Sequence, residues 1–274
     1  YDLTFATALV AVSGSLGIII PPSIPYIMYC NASGASISEL FLAGFLPGVL
    51  IALCLMVYSY IYCKIHGEDK DKLNAKCMEL RAKGLGTVLK EGFWALMSPV
   101  IILGGIYGGI CSPTEAATIS IFYSLIVSLF IYRTIKIRDL PKIMLEGIHS
   151  YAPILIILSA AVAFARVITL MNVATIVSEA VLSAISSKVV ILLLINVLLL
   201  FVGMIMDTGP AILVFTPVLL PVAEAIGVDP IHFGIIMVVN LAIGFVTPPL
   251  GVNLFVACNV ANAQQCVPVS MTGR

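Results

Sequence analysis

The sequence predicts an all-α polytopic membrane protein built on an internal repeat, and three observations carry that expectation. Hydrophobic residues make up 61% and charged residues 10%, against roughly 25% charged in soluble proteins. A soluble core could not cover so much apolar surface. Two stretches, Gly17-Ile18-Ile19-Ile20-Pro21-Pro22 and Gly244-Phe245-Val246-Thr247-Pro248-Pro249, set a double proline inside long apolar sequence. A shift of 227 positions then lays Asp2 on Asp229, Gly17 on Gly244 and both prolines on their counterparts without a gap.

Two successive prolines remove two backbone donors and clash with the preceding turn, so no helix runs through them. In a bilayer such a break is tolerated only where protein or a water-filled cavity receives the freed peptide groups. Paired interruptions at matching positions of two halves are the sequence sign of a secondary transporter's binding site near the midplane. Formal net charge is zero and the charges fall mainly in two short regions, which argues against a nucleic-acid surface. The seven cysteines are scattered without CxxC or Cys/His metal spacing, and are read as small apolar fillers.

Residues 3–20 are apolar, with small interruptions at Ser13, Gly14, Ser15 and Gly17. The helix is expected to stop near Ile20, short of a full span. Ile24 to Cys30 forms a second half-helix leading to the polar loop 31–36. The small residues also suit close helix packing, but the prolines favour contact between freed backbone and an ion or substrate. Residues 38–63 form one span, with a kink at Pro47-Gly48 and Tyr58, Tyr60 and Tyr62 toward the interface. The charged stretch 64–92 reads as a solvated connector, with an exposed helix over 73–83.

Two further spans, 93–110 and 115–132, are joined by a turn in which Ser112, Pro113 and Glu115 spell a capping box. Glu115 is therefore assigned to structure. Arg133, Lys136, Arg138 and Lys142 follow, and two basic loops flanking an even number of crossings lie on one side, the cytoplasmic one. That places 64–92 and 133–148 in the cytoplasm and 31–36 opposite. Residues 135–148 read as an amphipathic surface helix, with Ile135, Ile137, Leu140, Ile143, Met144 and Ile148 on its apolar side. The next span, 151–170, carries Arg166, which must lie near an end, snorkel or pair. Glu179, on the segment 173–186, is its candidate partner.

The tract 189–260 is the most informative. An apolar arm over 189–205, the break Gly203-Met204-Ile205-Met206-Asp207-Thr208-Gly209-Pro210 and a second arm through Pro217 and Pro221 predict a re-entrant hairpin. Asp229-Pro230 starts the helix that ends at Thr247-Pro248-Pro249, and Gly251 to Asn253 opens its second half. Asn240 matches Ser13, so each copy is expected to place a small polar group above its break. Asp207, the Thr208 and Thr247 hydroxyls and freed carbonyls make a hard-oxygen set that suits sodium rather than a transition metal. A second such position lies near Ser13, Gly14 and Gly17. Asp207 as a helix cap is the plainer alternative.

Four stretches together resemble the large membrane subunit of the TRAP (tripartite ATP-independent periplasmic) transporters. They are Ser13 to Pro25, Gly104 to Tyr107 with Thr114 to Ala117, Gly203 to Thr208, and Asp229 to Gly234 with Thr247 to Pro249. The similarity covers about residues 1–260 in the family's order. It implies an inverted-repeat, elevator-type fold of the ion transporter superfamily kind, in the bacterial inner membrane. It also implies sodium-coupled import of an organic acid, such as a C4-dicarboxylate or sialic acid, received from a periplasmic binding protein with the help of a small membrane subunit. No cofactor is implied beyond sodium as coupling ion.

The family builds its site from two hairpins and two broken helices. Its matching positions here are Ser13, Gly14, Ser15 and Gly17, then Pro21, Pro22 and Ser23, Asp207 and Thr208, and Gly244, Thr247, Pro248 and Pro249. The resemblance places a first hairpin before Tyr1, so this chain is expected to be a fragment lacking half of one ion site. On this reading 1–63 closes the first repeat, 64–92 connects, 93–260 is the second repeat and 261–274 is a polar tail. Two rivals predict different behaviour. An intramembrane hydrolase would use Asp2 with Asp207, but lacks a Gly-x-Gly-Asp context, and neither His149 nor His232 has a zinc partner at helical spacing. A passive channel would ignore sodium and a binding protein alike.

Overall fold

A computed structural model describes residues 3–67, 78, 84–185 and 187–261. Asp2, the expected helix over 73–83 apart from Met78, Cys77, Cys266 and the tail from 262 lie outside the described residues. Every regular element among the described residues is helical. Six segments are long and apolar enough to cross a membrane, and large apolar side chains such as Leu46, Phe122, Ile156 and Leu193 are exposed along them. Helices that are apolar toward the outside as well as toward one another belong in lipid.

The described residues form two compact units. One comprises the residues up to Ile61 together with those from Leu155 onward. It opens with α1 (Leu3–Gly14), the short α2 (Leu16–Ile19) and α3 (Ile24–Ser33). α3 closes at Gly34, whose φ of 77° is left-handed backbone that glycine adopts without strain. The helix thus takes in Asn31 to Ser33, residues whose polar character predicts a loop. α4 (Ile37–His66) continues through Pro47 as one helix. Its Gly44 and Gly48 receive the first broken helix: a Cβ on Gly44 would lie 2.7 Å from the Tyr26 ring, and one on Gly48 2.5 Å from Ile20.

The other unit, Tyr62–Ile154, holds α5 (Leu85–Tyr107) and α6 (Pro113–Ile126), which runs on into a π turn, Val127–Ile131. The Tyr123 hydroxyl donates to the Trp94 carbonyl at 2.8 Å, and Ser98 bonds Ser120 at 3.1 Å. At the head of α6 the capping box forms as expected. Glu115 N–H donates to the Ser112 hydroxyl, and the Ser112 N–H donates to the Glu115 carboxylate at 2.7 Å.

The expected amphipathic helix and the span after it prove to be one element, α7 (Leu140–Leu170), with Pro153 inside it. Pro153 removes a single N–H, and no glycine or cap stands between Ile148 and Tyr151 to stop the helix. α8 (Val173–Ala184) is short. Arg166 and Glu179 are both exposed and no ion pair joins them. α9 (Lys188–Ile205) and α10 (Thr208–Ala225) form a helical pair closed at its open end by the Lys188 ammonium, which donates to the Gly227 carbonyl at 2.9 Å. Each is 18 residues long, so length alone does not mark the pair as re-entrant. α11 (Pro230–Gly244) and α12 (Val252–Ala261) complete the unit.

Its core lies where α3, α10 and α11 pack, around the fully buried Tyr29, Phe233, Met237 and Leu241. Asp229 starts α11 by accepting from the Ile231 and His232 N–H groups.

Candidate functional site

Both proline pairs interrupt their helices. α2 ends at Ile19 and α3 begins after Ser23, while α11 ends at Gly244 and α12 begins at Val252. The Pro21–Pro22 and Pro248–Pro249 peptides are both cis. The broken helices run antiparallel, as two contacts establish. The Tyr29 hydroxyl near the end of α3 donates to the Pro230 carbonyl at the start of α11, at 2.6 Å. Asn253, at the start of α12, donates through Nδ2 to the Ala11 carbonyl near the end of α1, at 3.2 Å. A side chain on Gly14 would meet the same Asn253 Nδ2 at 3.1 Å.

Each break closes one of its own freed carbonyls. The buried Ser23 hydroxyl donates to the Ile18 carbonyl at 2.6 Å. In the second copy the counterpart of Ile18 is Phe245, and its carbonyl accepts the Asn253 N–H at 3.0 Å. A cation at either break would therefore draw on the remaining carbonyls and on hydroxyl lone pairs. Hydroxyls supply those: Ser13 donates its proton to Val10, Ser15 to Val12 and Thr247 to Ile243, at 3.0, 2.7 and 2.8 Å. A hydroxyl that has given its hydrogen to a carbonyl keeps its oxygen lone pairs for a ligand.

Asp207 is exposed and caps α10, its Oδ1 accepting the Thr208 N–H at 2.8 Å. Thr208 itself is buried. The turn that carries them is fastened to the second break, because the Leu250 N–H donates to the Met204 carbonyl at 3.0 Å. Just before turn and break, α9 and α11 touch backbone to backbone: a Cβ on Gly244 would collide with the Gly203 carbonyl group. Small residues permit such an approach. The first break joins this group through Met28 of α3, whose methyl would lie 3.2 Å from a Cβ on Gly209 at the head of α10.

Asp207, Thr208, Gly244, Thr247, Pro248 and Pro249 thus belong to one tied assembly, while Gly14 reaches the same break through Asn253. No hydrogen bond among the described residues links Ser13, Ser15 or Gly17 to Asp207, Thr208 or Thr247, and the space beside Gly17 is open. The expected likeness of Ser13 and Asn240 fails in environment: Ser13 is exposed on α1, whereas Asn240 is buried and bonded to Asn196 of α9. Nothing in the sequence singles out Asn196, since one asparagine in an apolar run carries no periodic signal. Asn253 was legible as the start of a half-helix, but not as its tie to α1.

Between α1 and α12 lies a cavity of ≈ 380 Å³ lined by Thr7, Val10, Gly14, Asn253, Ala257 and Ala261 among others. No charged side chain lines it. Among the described residues no three of His, Cys, Asp and Glu come together. Asp2, which the hydrolase reading needs, lies outside the described residues.

A family model described as "Tripartite ATP-independent periplasmic transporter, DctM component" matches residues 1–272. The chain is 47% identical over 96% of its length to the isethionate TRAP transporter permease protein DctMQ of Oleidesulfovibrio alaskensis, covering 41% of that protein. It is 40% identical over 95% of its length to the C4-dicarboxylate TRAP transporter large permease protein of Pseudomonas aeruginosa, covering 60% of it. It is 36% identical over 96% of its length to the sialic acid TRAP transporter large permease protein of Vibrio cholerae, again covering 60%. The chain therefore spans about two fifths to three fifths of the length of these relatives.

Proposed function

The chain belongs to the DctM family of the tripartite ATP-independent periplasmic transporters, and from that premise we propose that it carries the binding core of a sodium-coupled importer of an organic acid. It is a multi-pass inner-membrane protein. The substrate arrives from a periplasmic binding protein, and a small membrane subunit completes the transporter in the lipid bilayer. The charged segments 64–92 and 133–148 face the cytoplasm.

One observation carries this reading: two antiparallel helices, each broken at a proline pair, with a helical hairpin fastened to one of the breaks. A break at mid-depth offers carbonyls from the helix before it and N–H groups from the helix after it, so one place serves a cation and an anion together. The tie from Leu250 to Met204 supports a re-entrant hairpin, because it holds the α9–α10 turn level with the break. Sodium then draws on Asp207, Thr208 and Thr247 at one break and on Ser13, Gly14 and Gly17 at the other.

The carboxylate favours the second break. At the head of α3, Pro25 has no N–H and Tyr26 N–H is taken by Ser23, which leaves Ile24 as a donor. At the head of α12, Val252 and Leu254 flank the one amide already committed to Phe245. The relatives' names, isethionate, C4-dicarboxylate and sialic acid, are all organic acids, which fits an anion at a helix N-terminus. The site then crosses the membrane by an elevator movement.

The test is uptake into vesicles by the complete transporter with its binding protein, under a sodium gradient or with choline in its place. Uptake that needs both sodium and the binding protein is expected. Uptake that proceeds equally without either one would reject the reading.

A further inference from the structure

The glycine crossing brings α9 and α11 together but cannot hold them in register. Two smooth backbone surfaces slide on one another, whereas a directional hydrogen bond in apolar surroundings fixes axial position, as a single buried asparagine does in a coiled coil. Such a bond exists between these helices. Asn240 spends both hydrogens of its amide, one on Asn196 Oδ1 at 2.7 Å and one on the Ile236 carbonyl at 2.7 Å. Asn196 in turn donates through Nδ2 to the Leu192 carbonyl at 2.7 Å. Each amide is thereby pinned to its own helix, and the pair spans the gap between them.

We propose that Asn196 and Asn240 are positioning residues of the transport site: their amide pair sets the register of α9 against α11, and so the place of the Asp207 turn beside the Thr247–Pro249 break. The pair stands seven residues before Gly203 on one helix and four before Gly244 on the other. Register set there passes along the two helices to Gly203 and Gly244, just short of the Met204–Leu250 bond between α9 and the break. A slip of one residue moves a helix by about 1.5 Å, and a binding constellation tolerates about 0.5 Å. Among the described residues Ser13, the counterpart of Asn240, is exposed and its hydroxyl donates within its own helix.

This inference rests on the reading that turn and break hold the coupling ion, and two readouts keep the two apart. The first is hydrogen exchange at the Leu250 amide, which needs no transport. The second is the sodium concentration at half-maximal uptake by the complete transporter. Asn196→Leu and Asn240→Leu should each speed exchange at Leu250 and raise half-saturating sodium by about threefold, the weight of one interhelical hydrogen bond in a membrane. The double variant should be no worse than either single one, since both remove the same bond. Asn196→Gln, which keeps an accepting oxygen, should recover part of both effects. Tyr29→Phe serves as control: it also deletes one interhelical bond, at the other end of α11, and should leave half-saturating sodium unchanged.

Unchanged exchange at Leu250 in the folded leucine variants would overturn the proposal. So would faster exchange with unaltered sodium dependence, or effects that simply add in the double variant. If the wild-type transporter ignores sodium, the functional reading fails, while exchange at Leu250 in the same variants still decides whether the amide pair holds the register.

Discussion

Gly203 lies where a side chain on Gly244 would be, while a Cβ on Gly203 would lie 3.0 Å from the Leu241 Cα and 3.4 Å from the Gly244 Cα. Gly244 has a repeat counterpart, Gly17, beside which a Cβ would meet nothing within 4 Å. The same substitution in the two copies should therefore separate them. Gly244→Ala forces the α9–α11 crossing apart and should cost about 1–3 kcal/mol, the usual range for overpacking. Gly17→Ala should be neutral or slightly stabilising. Thermal unfolding of the purified complete protein in detergent checks both, and equal losses would contradict the asymmetry.

The Tyr29 hydroxyl is the polar tie between α3 and α11, on the Pro230 carbonyl. Tyr29→Phe should lower stability by about 0.5–1.5 kcal/mol. Gly234→Ala should do more harm, because its Cβ would lie 2.5 Å from the Tyr29 ring. The double variant Gly234→Ala/Tyr29→Leu should regain part of the loss by vacating the ring edge, and denaturation in detergent reads it out.

Tyr26 presents the opposite case, a buried hydroxyl without a hydrogen-bond partner beside Gly44. An unmade bond in the interior costs the desolvation of its group, about 1–3 kcal/mol. Tyr26→Phe should thus leave stability equal or higher. A clear loss on Tyr26→Phe would mean that the hydroxyl has a partner after all.

Asp207 has two candidate roles, and two substitutions distinguish them. Asp207→Ala removes cap and carboxylate and should cost about 1 kcal/mol in stability together with sodium-dependent uptake. Asp207→Ser keeps a capping oxygen and should restore the stability without restoring the sodium response. If Asp207→Ala leaves sodium dependence unchanged, Asp207 has no part in the ion site.

Ser112 and Glu115, which the site reading does not include, supply a control. Ser112→Ala should destabilise α6 by about 1 kcal/mol through loss of its cap, with the half-saturating concentrations of sodium and substrate unaltered in the protein that folds.

What could be foreseen from the residues followed their local chemistry. Proline pairs announce a break because they lack donors, and Ser112 with Glu115 announces a helix start because each supplies what the other's backbone needs. Asp229 before Pro230 did the same for α11. The amphipathic pattern over 135–148 predicts an element of its own, yet α7 runs on from Leu140 to Leu170, since an amphipathic stretch and an apolar one can share one helix and the single N–H missing at Pro153 does not end it. Bonds between distant segments, Asn196 to Asn240, Tyr29 to Pro230 and Asn253 to Ala11, have no local signature at all. The resemblance suggests site positions residue by residue, but which of them share one assembly depends on the packing of α9 against α11, which no local pattern encodes.

The two copies finish the same repair by different means. At the first break the group that seals the Ile18 carbonyl is a side chain, Ser23, while at the second the seal on Phe245 is a main-chain amide. A point mutation at codon 23 can therefore unstitch one break, but at codon 253 only proline, which alone lacks the hydrogen, can do so. Genetic damage falls unequally on a duplicated design, and a mutational scan would find its first half the more fragile at this joint.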